Sequence, residues 1–136
     1  MEIQSFRDLK VWQAGMQLAT AIYTLTPGFP KFEAFGLSSQ MQCAAVSIPS
    51  NIAEGHARDS TKEFLRFISI AMGSLAEIET QIILAHQLNY FAESELIKLL
   101  EKTGGIGRML RGLQHSLKRN SLPPNPYSLA PCTKKS

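Results

Sequence analysis

At 136 residues, 44% of them hydrophobic, the chain is long enough for one domain with a core of its own and needs no covalent staples. Its formal charge is +3, but Arg119, Lys134 and Lys135 lie at the C-terminal end, and residues 1–118 balance 11 basic against 11 acidic side chains. That excludes a uniformly basic body, so any polyanion site must come from the placement of charge.

The first helix is predicted over residues 8–24, stopped by the two prolines and the glycine of TPGFP. Wrapped at about 100° per residue, Leu9, Trp12, Met16, Ala19 and Tyr23 form one apolar stripe, and Val11, Leu18, Ile22 and Leu25 form a second. Only Lys10, Gln13, Gln17, Thr20 and Thr24 are left as a polar strip. A helix resting on a single core needs one stripe. The second points to cover by another subunit, with Val11, Leu18, Ile22 and Leu25 as the oligomer interface. The alternative is a helix sunk deeper in its own bundle.

The second helix is predicted over 35–54. Leu37, Met41, Ala44, Ile48 and Ile52 keep phase straight through Pro49, which favours one helix kinked at Pro49. The alternative makes Ser47 an N-cap and Pro49 an early residue of a new helix. Ser47, Pro49, Ser50, Asn51 and Glu54 read as a structural polar cluster at the bend, with Arg58 as the nearest cationic partner for Glu54. Gly55 fits a left-handed C-terminal position.

Ser60 to Glu63 spell a capping box that opens a third helix over 61–88. Phe64, Ile68, Ala71, Leu75, Ile78, Ile82 and Ala85 form a heptad-like seam along it, and LNYFAES ends it. The fourth helix is predicted over 93–118, with a kink or break near 104–105 where TGGIG places three glycines in four positions. Beyond it, Ile106, Met109, Leu110, Leu113 and Leu117 share one face, and Arg108, Arg111, His115, Lys118 and Arg119 share the other. No acid occurs between Lys102 and Arg119. Residues 120–136 carry four prolines and read as a flexible tail.

Four helical segments with short connections imply an all-α fold, an antiparallel up-and-down four-helix bundle over 1–119. No apolar run approaches the roughly 20 residues that cross a bilayer, so no membrane partner is expected. The N-terminus, MEIQSFRDLK, lacks the layout of a secretory signal, which points to the cytoplasm. Cys43 and Cys132 show no metal-ligand spacing and read as free thiols.

Little here suggests catalysis. A di-iron bundle needs Glu-x-x-His pairs, and no acid has a histidine three residues later. His56 falls in a connector, His115 lies on the basic face, and His86 reads as a half-buried side chain within reach of Glu79. Phosphate-loop and nucleophile-elbow sequences are absent. Neither an enzyme nor a cofactor is expected.

FRDLKVWQ, FGLSSQMQCAAVSIPSNIAEG, STKEFLRFISIAMGSLAEIETQI and LLEKTGGIGRMLRGLQHSLK resemble the four-helix-bundle proteins encoded within intervening sequences of bacterial 23S ribosomal RNA genes. The resemblance covers about residues 5–119, and SIPSNIAEG is its most specific part. It implies a homopentameric ring. These proteins are also similar to the accessory protein of diversity-generating retroelements, a basic pentamer that binds nucleic acid and a reverse transcriptase. One departure stands out: relatives commonly carry a basic pair where this chain has Gln42 and Cys43. The remaining candidates for phosphate contact are Arg108, Arg111, His115, Lys118 and Arg119, with Arg58, Lys62 and Arg66.

Two functions follow as expectations. One is a non-catalytic homo-oligomer that binds rRNA or another structured nucleic acid through its basic face. The other is a scaffold that presents a surface to a protein partner such as a polymerase.

Overall fold

The computed structural model describes residues 5–121. Among them there is no strand. Four long helices, α1 (Lys10–Leu25), α2 (Leu37–His56), α3 (Thr61–Gln87) and α4 (Glu93–Ser121), are joined by single 3-10 turns and short loops. Each helix has two main neighbours: α1 packs on α2 and α4, and α3 packs on α2 and α4. The result is a closed bundle around one core.

Contact pairs give the directions. Ser47 on α2 meets Ser74 on α3, while Gly55, later on α2, abuts Phe67, earlier on α3. Glu79 pairs with Thr103 and Leu75 lies against Gly107, the same opposed sense for α3 and α4. Gly15 lies against Pro49 and Thr26 pairs with Gln42, the same opposed sense for α1 and α2.

The core consists of the stripes read from the sequence. Met41, Ala44, Ile48 and Ile52 of α2 are buried, as are Ile68, Ala71, Leu75, Ile78, Ile82 and Ala85 of α3. Leu99, Ile106 and Leu110 close it from α4. On α1 the buried residues are Val11, Gly15, Leu18, Ala19 and Ile22. Burying a leucine or isoleucine contributes about 1.5–3 kcal/mol, and that decides two questions of local structure.

The first is α4, which runs unbroken through Gly104 and Gly105, so that of the expected kink or break the break is ruled out. The glycines cost about 1 kcal/mol each. A break would take Leu99 and Thr103 out of register with Ile106 and Leu110, all of them buried, and that loss is larger.

The second is α2, which contains Pro49 in its interior and does not restart there. Ser47 is therefore no N-cap. Pro49 is buried on the α1 side, with its ring against Gly15, so packing offsets part of the roughly 3 kcal/mol that a mid-helix proline costs.

Helix ends follow local chemistry, with two corrections. Ser60 Oγ accepts from the Glu63 amide at 3.1 Å, one half of the capping box. The Glu63 carboxylate meets Arg66 at 3.3 Å. Gly55 is not a left-handed terminus: α2 runs on to His56, and no described glycine has positive φ. Its reason is the close approach of α3. Asn89, with φ 64°, is the residue that turns left-handed after α3, as asparagine tolerates better than most residues.

By length and composition α3 is apolar enough to cross a membrane, with a mean hydropathy of 1.4 over its best window. That corrects the sequence expectation that no segment qualifies. In this fold, its Phe67, Ile68, Ala71, Leu75, Ile78 and Ile82 are buried in the bundle. Of the proline-rich tail, Asn120 and Ser121 continue α4, and residues 122–136 lie outside the described part.

Candidate nucleic-acid interface

α4 carries the basic face. Arg108, Arg111, His115, Lys118 and Arg119 are all exposed, while Ile106 and Leu110 on the opposite side are buried. At about 100° per residue the five fall within an arc of roughly 100°. The glycines upstream shape this arc. Helical side chains lean toward the N-terminus. A methyl group built at Gly104 would lie 3.6 Å from Arg108 Nη1, and one at Gly107 would lie 3.5 Å from Arg111 Nη1. The two guanidinium groups thus rest over bare backbone. TGGIG lays a smooth floor under cations and lets Gly107 approach Leu75 of α3, where its methyl would sit 3.4 Å from Cδ2.

Arg58, Lys62 and Arg66 are exposed around the α2–α3 connection. The guanidinium carbons of Arg58 and Arg66 lie 4.9 and 4.7 Å from the centroid of the Phe67 ring. Cation–π contacts of this kind hold both side chains near the surface. Continuing the α3–α4 register from the Glu79–Thr103 pair brings Lys118 and Arg119 level with the start of α3. Both basic groups therefore share one end of the bundle. Arg108 and Arg111 sit higher, beside the middle of α3.

Gln42 is engaged inside the protomer. Its amide donates to Thr26 Oγ1 at 2.9 Å, tying α2 to the end of α1. Cys43 is exposed.

The expected polar cluster at the bend splits into three parts. Asn51 Nδ2 donates to the Ser47 carbonyl at 2.7 Å and to Ser47 Oγ at 2.9 Å. Ser47 Oγ lies 2.7 Å from Ser74 Oγ, so this chain of hydrogen bonds crosses from α2 to α3. Pro49 and Ser50 face α1. Glu54 is exposed, and no ion pair joins it to Arg58, whose guanidinium lies over Phe67. Asn51 and Ser47 thus hold two helices together, while Glu54 is free to be solvated.

The oligomer interface proposed on α1 needs correcting. Val11, Leu18 and Ile22 are inside the protomer's own core, at 5%, 0% and 0% exposure, and Leu25 packs against it. A second copy cannot reach them. The other stripe is the outward one, with Met16 and Tyr23 exposed and Trp12 half-buried. Physical chemistry separates the two. Valine, leucine and isoleucine carry no polar atom, whereas the indole N–H and phenol O–H favour a wet rim.

Two features went unread in the sequence. Phe32 and Phe35, in the α1–α2 connection, are 77% and 99% exposed. Their signal was a pair of phenylalanines in a stretch without helical periodicity. The second is the buried Thr103 hydroxyl, which donates to Glu79 Oε2 at 2.7 Å and keeps that acid paired. Glu79 is therefore not the partner of His86, whose ring packs 5.7 Å from Phe91. His56 lies edge-on to Phe64 at 5.8 Å. Among the described residues no three His, Cys, Asp or Glu side chains cluster as metal ligands.

The sequence profile described as 23S rRNA-intervening sequence protein matches residues 7–112. No curated relative matches the chain. Among solved structures, the bundle is similar to a protein of unknown function from the S23 ribosomal protein family of Bacteroides thetaiotaomicron VPI-5482. The TM-score is 0.72 at 21% identity, over 77% of this chain and 95% of that one. At that identity the likeness carries the fold alone.

Proposed function

Because this chain belongs to the 23S rRNA-intervening sequence protein family, we propose that it is a non-catalytic homo-oligomer of the cytoplasm that binds RNA through phosphate contacts along α4. The observation that carries this reading is the acid-free arc of Arg108, Arg111, His115, Lys118 and Arg119, exposed opposite the core. The mechanism is electrostatic. Each cation that neutralises a phosphate releases a condensed counterion, and the gain in counterion entropy supplies the affinity. Guanidinium groups also offer paired N–H donors to phosphate oxygens. The arc lies on a smooth convex helix without exposed aromatic rings among the cations, which suits backbone contact rather than base reading. Assembly into a ring of five copies, as the family resemblance implies, repeats the arc and raises avidity without any new contact.

Fluorescence anisotropy on structured rRNA fragments across a salt series tests this. Four arginine and lysine contacts predict a slope of about −3 in log K against log salt. Arg108→Glu with Arg111→Glu is expected to weaken binding by roughly tenfold or more and to flatten the slope, leaving helicity unchanged. Binding that ignores both substitutions eliminates this face.

A second reading has its own observation. Phe32 and Phe35 stand out from the α1–α2 connection, the near-neutral body offers little general attraction for RNA, and Gln42 is engaged internally. These favour a scaffold that docks a protein partner such as a polymerase. A stoichiometric partner that stays bound after nuclease treatment and leaves when both phenylalanines become serine supports it.

A further inference from the structure

Between α1 and α2 an apolar groove of about 440 Å³ lies open, lined chiefly by Trp12, Met16, Ala19, Tyr23, Val46 and Pro49. Met16, Tyr23 and Val46 are 43%, 51% and 39% exposed and line the same groove. We propose that this groove is the seat of the chain's own C-terminal segment, residues 122–131, bound as an extended proline-rich strand.

Position supports it first. Continuing the α3–α4 register from Glu79–Thr103 brings Ser121 level with Thr61, at the end of the bundle where α2 finishes. Gly15 against Pro49 places the start of α1 at that same end. Trp12 and Ala53 form the near mouth of the groove, with Tyr23 and Val46 farther along.

Length supports it next. From Trp12 to Tyr23 the groove runs about 17 Å at 1.5 Å per helical residue. Residues 122–131 extend about 31 Å at 3.1 Å per residue of polyproline II, so that roughly four of them round α1, about 10 Å across, and roughly six run the length of the groove.

Chemistry then selects the occupant. Pro123, Pro124, Pro126 and Pro131 alternate with Leu122, Tyr127 and Leu129, and no charge occurs before Lys134. No lining residue of the groove is charged either. A neutral groove walled by an indole, a phenol and a proline ring does not attract a phosphate backbone. It matches a proline-rich sequence, because a fixed proline φ leaves little backbone entropy to lose on docking. This is the same logic by which aromatic-lined grooves take proline-rich ligands elsewhere.

Trp12 is the one tryptophan of the chain, so the groove carries its own reporter. In the full chain, Pro124→Gly, Pro126→Gly and Tyr127→Ser together are expected to red-shift Trp12 emission. They should also raise acrylamide quenching roughly twofold, because only Phe6 and the core would then shelter the ring. A synthetic peptide of residues 122–136 added to that variant should reverse both changes with saturation. A nitroxide on Cys132, in the Cys43→Ser full chain, should broaden the methyl signals of Met16 and Val46 selectively and independently of concentration. Equal quenching in both forms, or a peptide without effect, overturns the proposal. So does shielding of Trp12 that persists in the tail variant but disappears on dilution, which would make the occupant a second copy.

Discussion

A methyl group at Gly55 would lie 2.7 Å from Cβ of Phe67 and 2.9 Å from Cδ1 of Phe64. The first contact is with an atom fixed to the backbone of α3 and cannot be relieved by turning a side chain. Gly55→Ala should gain about 1 kcal/mol of helix propensity yet lose more through overpacking, about 1–3 kcal/mol. We expect net destabilisation in urea melts. Gly73, on the same α3, meets nothing within 4 Å. Gly73→Ala is therefore expected to stabilise by up to about 1 kcal/mol. Equal signs for the two substitutions would contradict the close approach of α2 and α3.

Tyr90 gives the stability of the bundle a pH dependence. Its hydroxyl donates to Glu33 Oε2 at 2.8 Å, and Glu33 Oε1 accepts the Leu37 amide at 2.8 Å. One carboxylate thus caps α2 and ties that end to the α3–α4 connection. The hydrogen bond to Glu33 raises the Tyr90 pKa above 10.0, with burial and the charge of Glu33 adding to the same direction. A raised pKa in the folded chain means stabilisation that is complete below the unfolded value, near 10, and lost as pH climbs through the folded one. Urea midpoints should fall more steeply above about pH 10 in the native chain than in Tyr90→Phe. Parallel profiles would show that the hydroxyl has no part in it.

At the scale of elements, α1 and α2 meet through a glycine and a proline. A methyl at Gly15 would sit 3.3 Å from Cδ of Pro49 and 3.4 Å from Cγ2 of Ile48. Both neighbours are buried, and the Pro49 ring would have to give by a few tenths of an ångström to admit it. Pro49→Ala removes the ring and restores the amide that can bond the Ala45 carbonyl. It exchanges roughly 3 kcal/mol of helix penalty for about 2 kcal/mol of lost packing, so the bundle is expected to stay folded with stability nearly unchanged. Gly15→Ala alone should destabilise. In the Pro49→Ala background it should stabilise, because the methyl then fills the space of the ring. That sign reversal is a coupling of neighbours, readable in a double-mutant cycle. Simple additivity would show that the two residues do not share this contact.

On α4 the same reasoning applies to TGGIG. Its glycines weaken a helix in isolation, and the buried residues Leu99, Thr103, Ile106 and Leu110 hold it in one piece. Their absence of side chains then has a different use, as the floor beneath Arg108 and Arg111.

For the whole molecule, the question is what covers its outward apolar residues. Met16 and Tyr23 of α1 and the pair Phe32 and Phe35 are presented to solvent by a single protomer. On the homo-oligomer reading Phe32 and Phe35 would contribute contacts between copies, whereas on the scaffold reading they would meet a protein partner and leave the assembly unchanged. In the first case Phe32→Ser with Phe35→Ser should lower the mass seen by light scattering at micromolar concentration without reducing helicity. An assembly of unchanged size would remove the connection from any interface between copies. RNA affinity should decline with it, since a lone arc lacks the avidity of a ring.

Fold class and the four helices were legible from periodicity, because residues spaced at 3.6 per turn must share a face. The seams of α2 and α3 and the basic arc of α4 needed no tertiary knowledge, and neither did the Ser60 cap. The reason is that each depends on neighbours within a turn or two. What tertiary structure decided was which of two apolar stripes on α1 faces inward, why Gly55 and Gly15 lack side chains, and that α4 stays whole across its glycines. It also decided that Glu79 pairs with Thr103, and that Phe32 and Phe35 stay outside. Each of these depends on a contact between helices far apart in the chain, where burial energy from the partner outweighs local propensity.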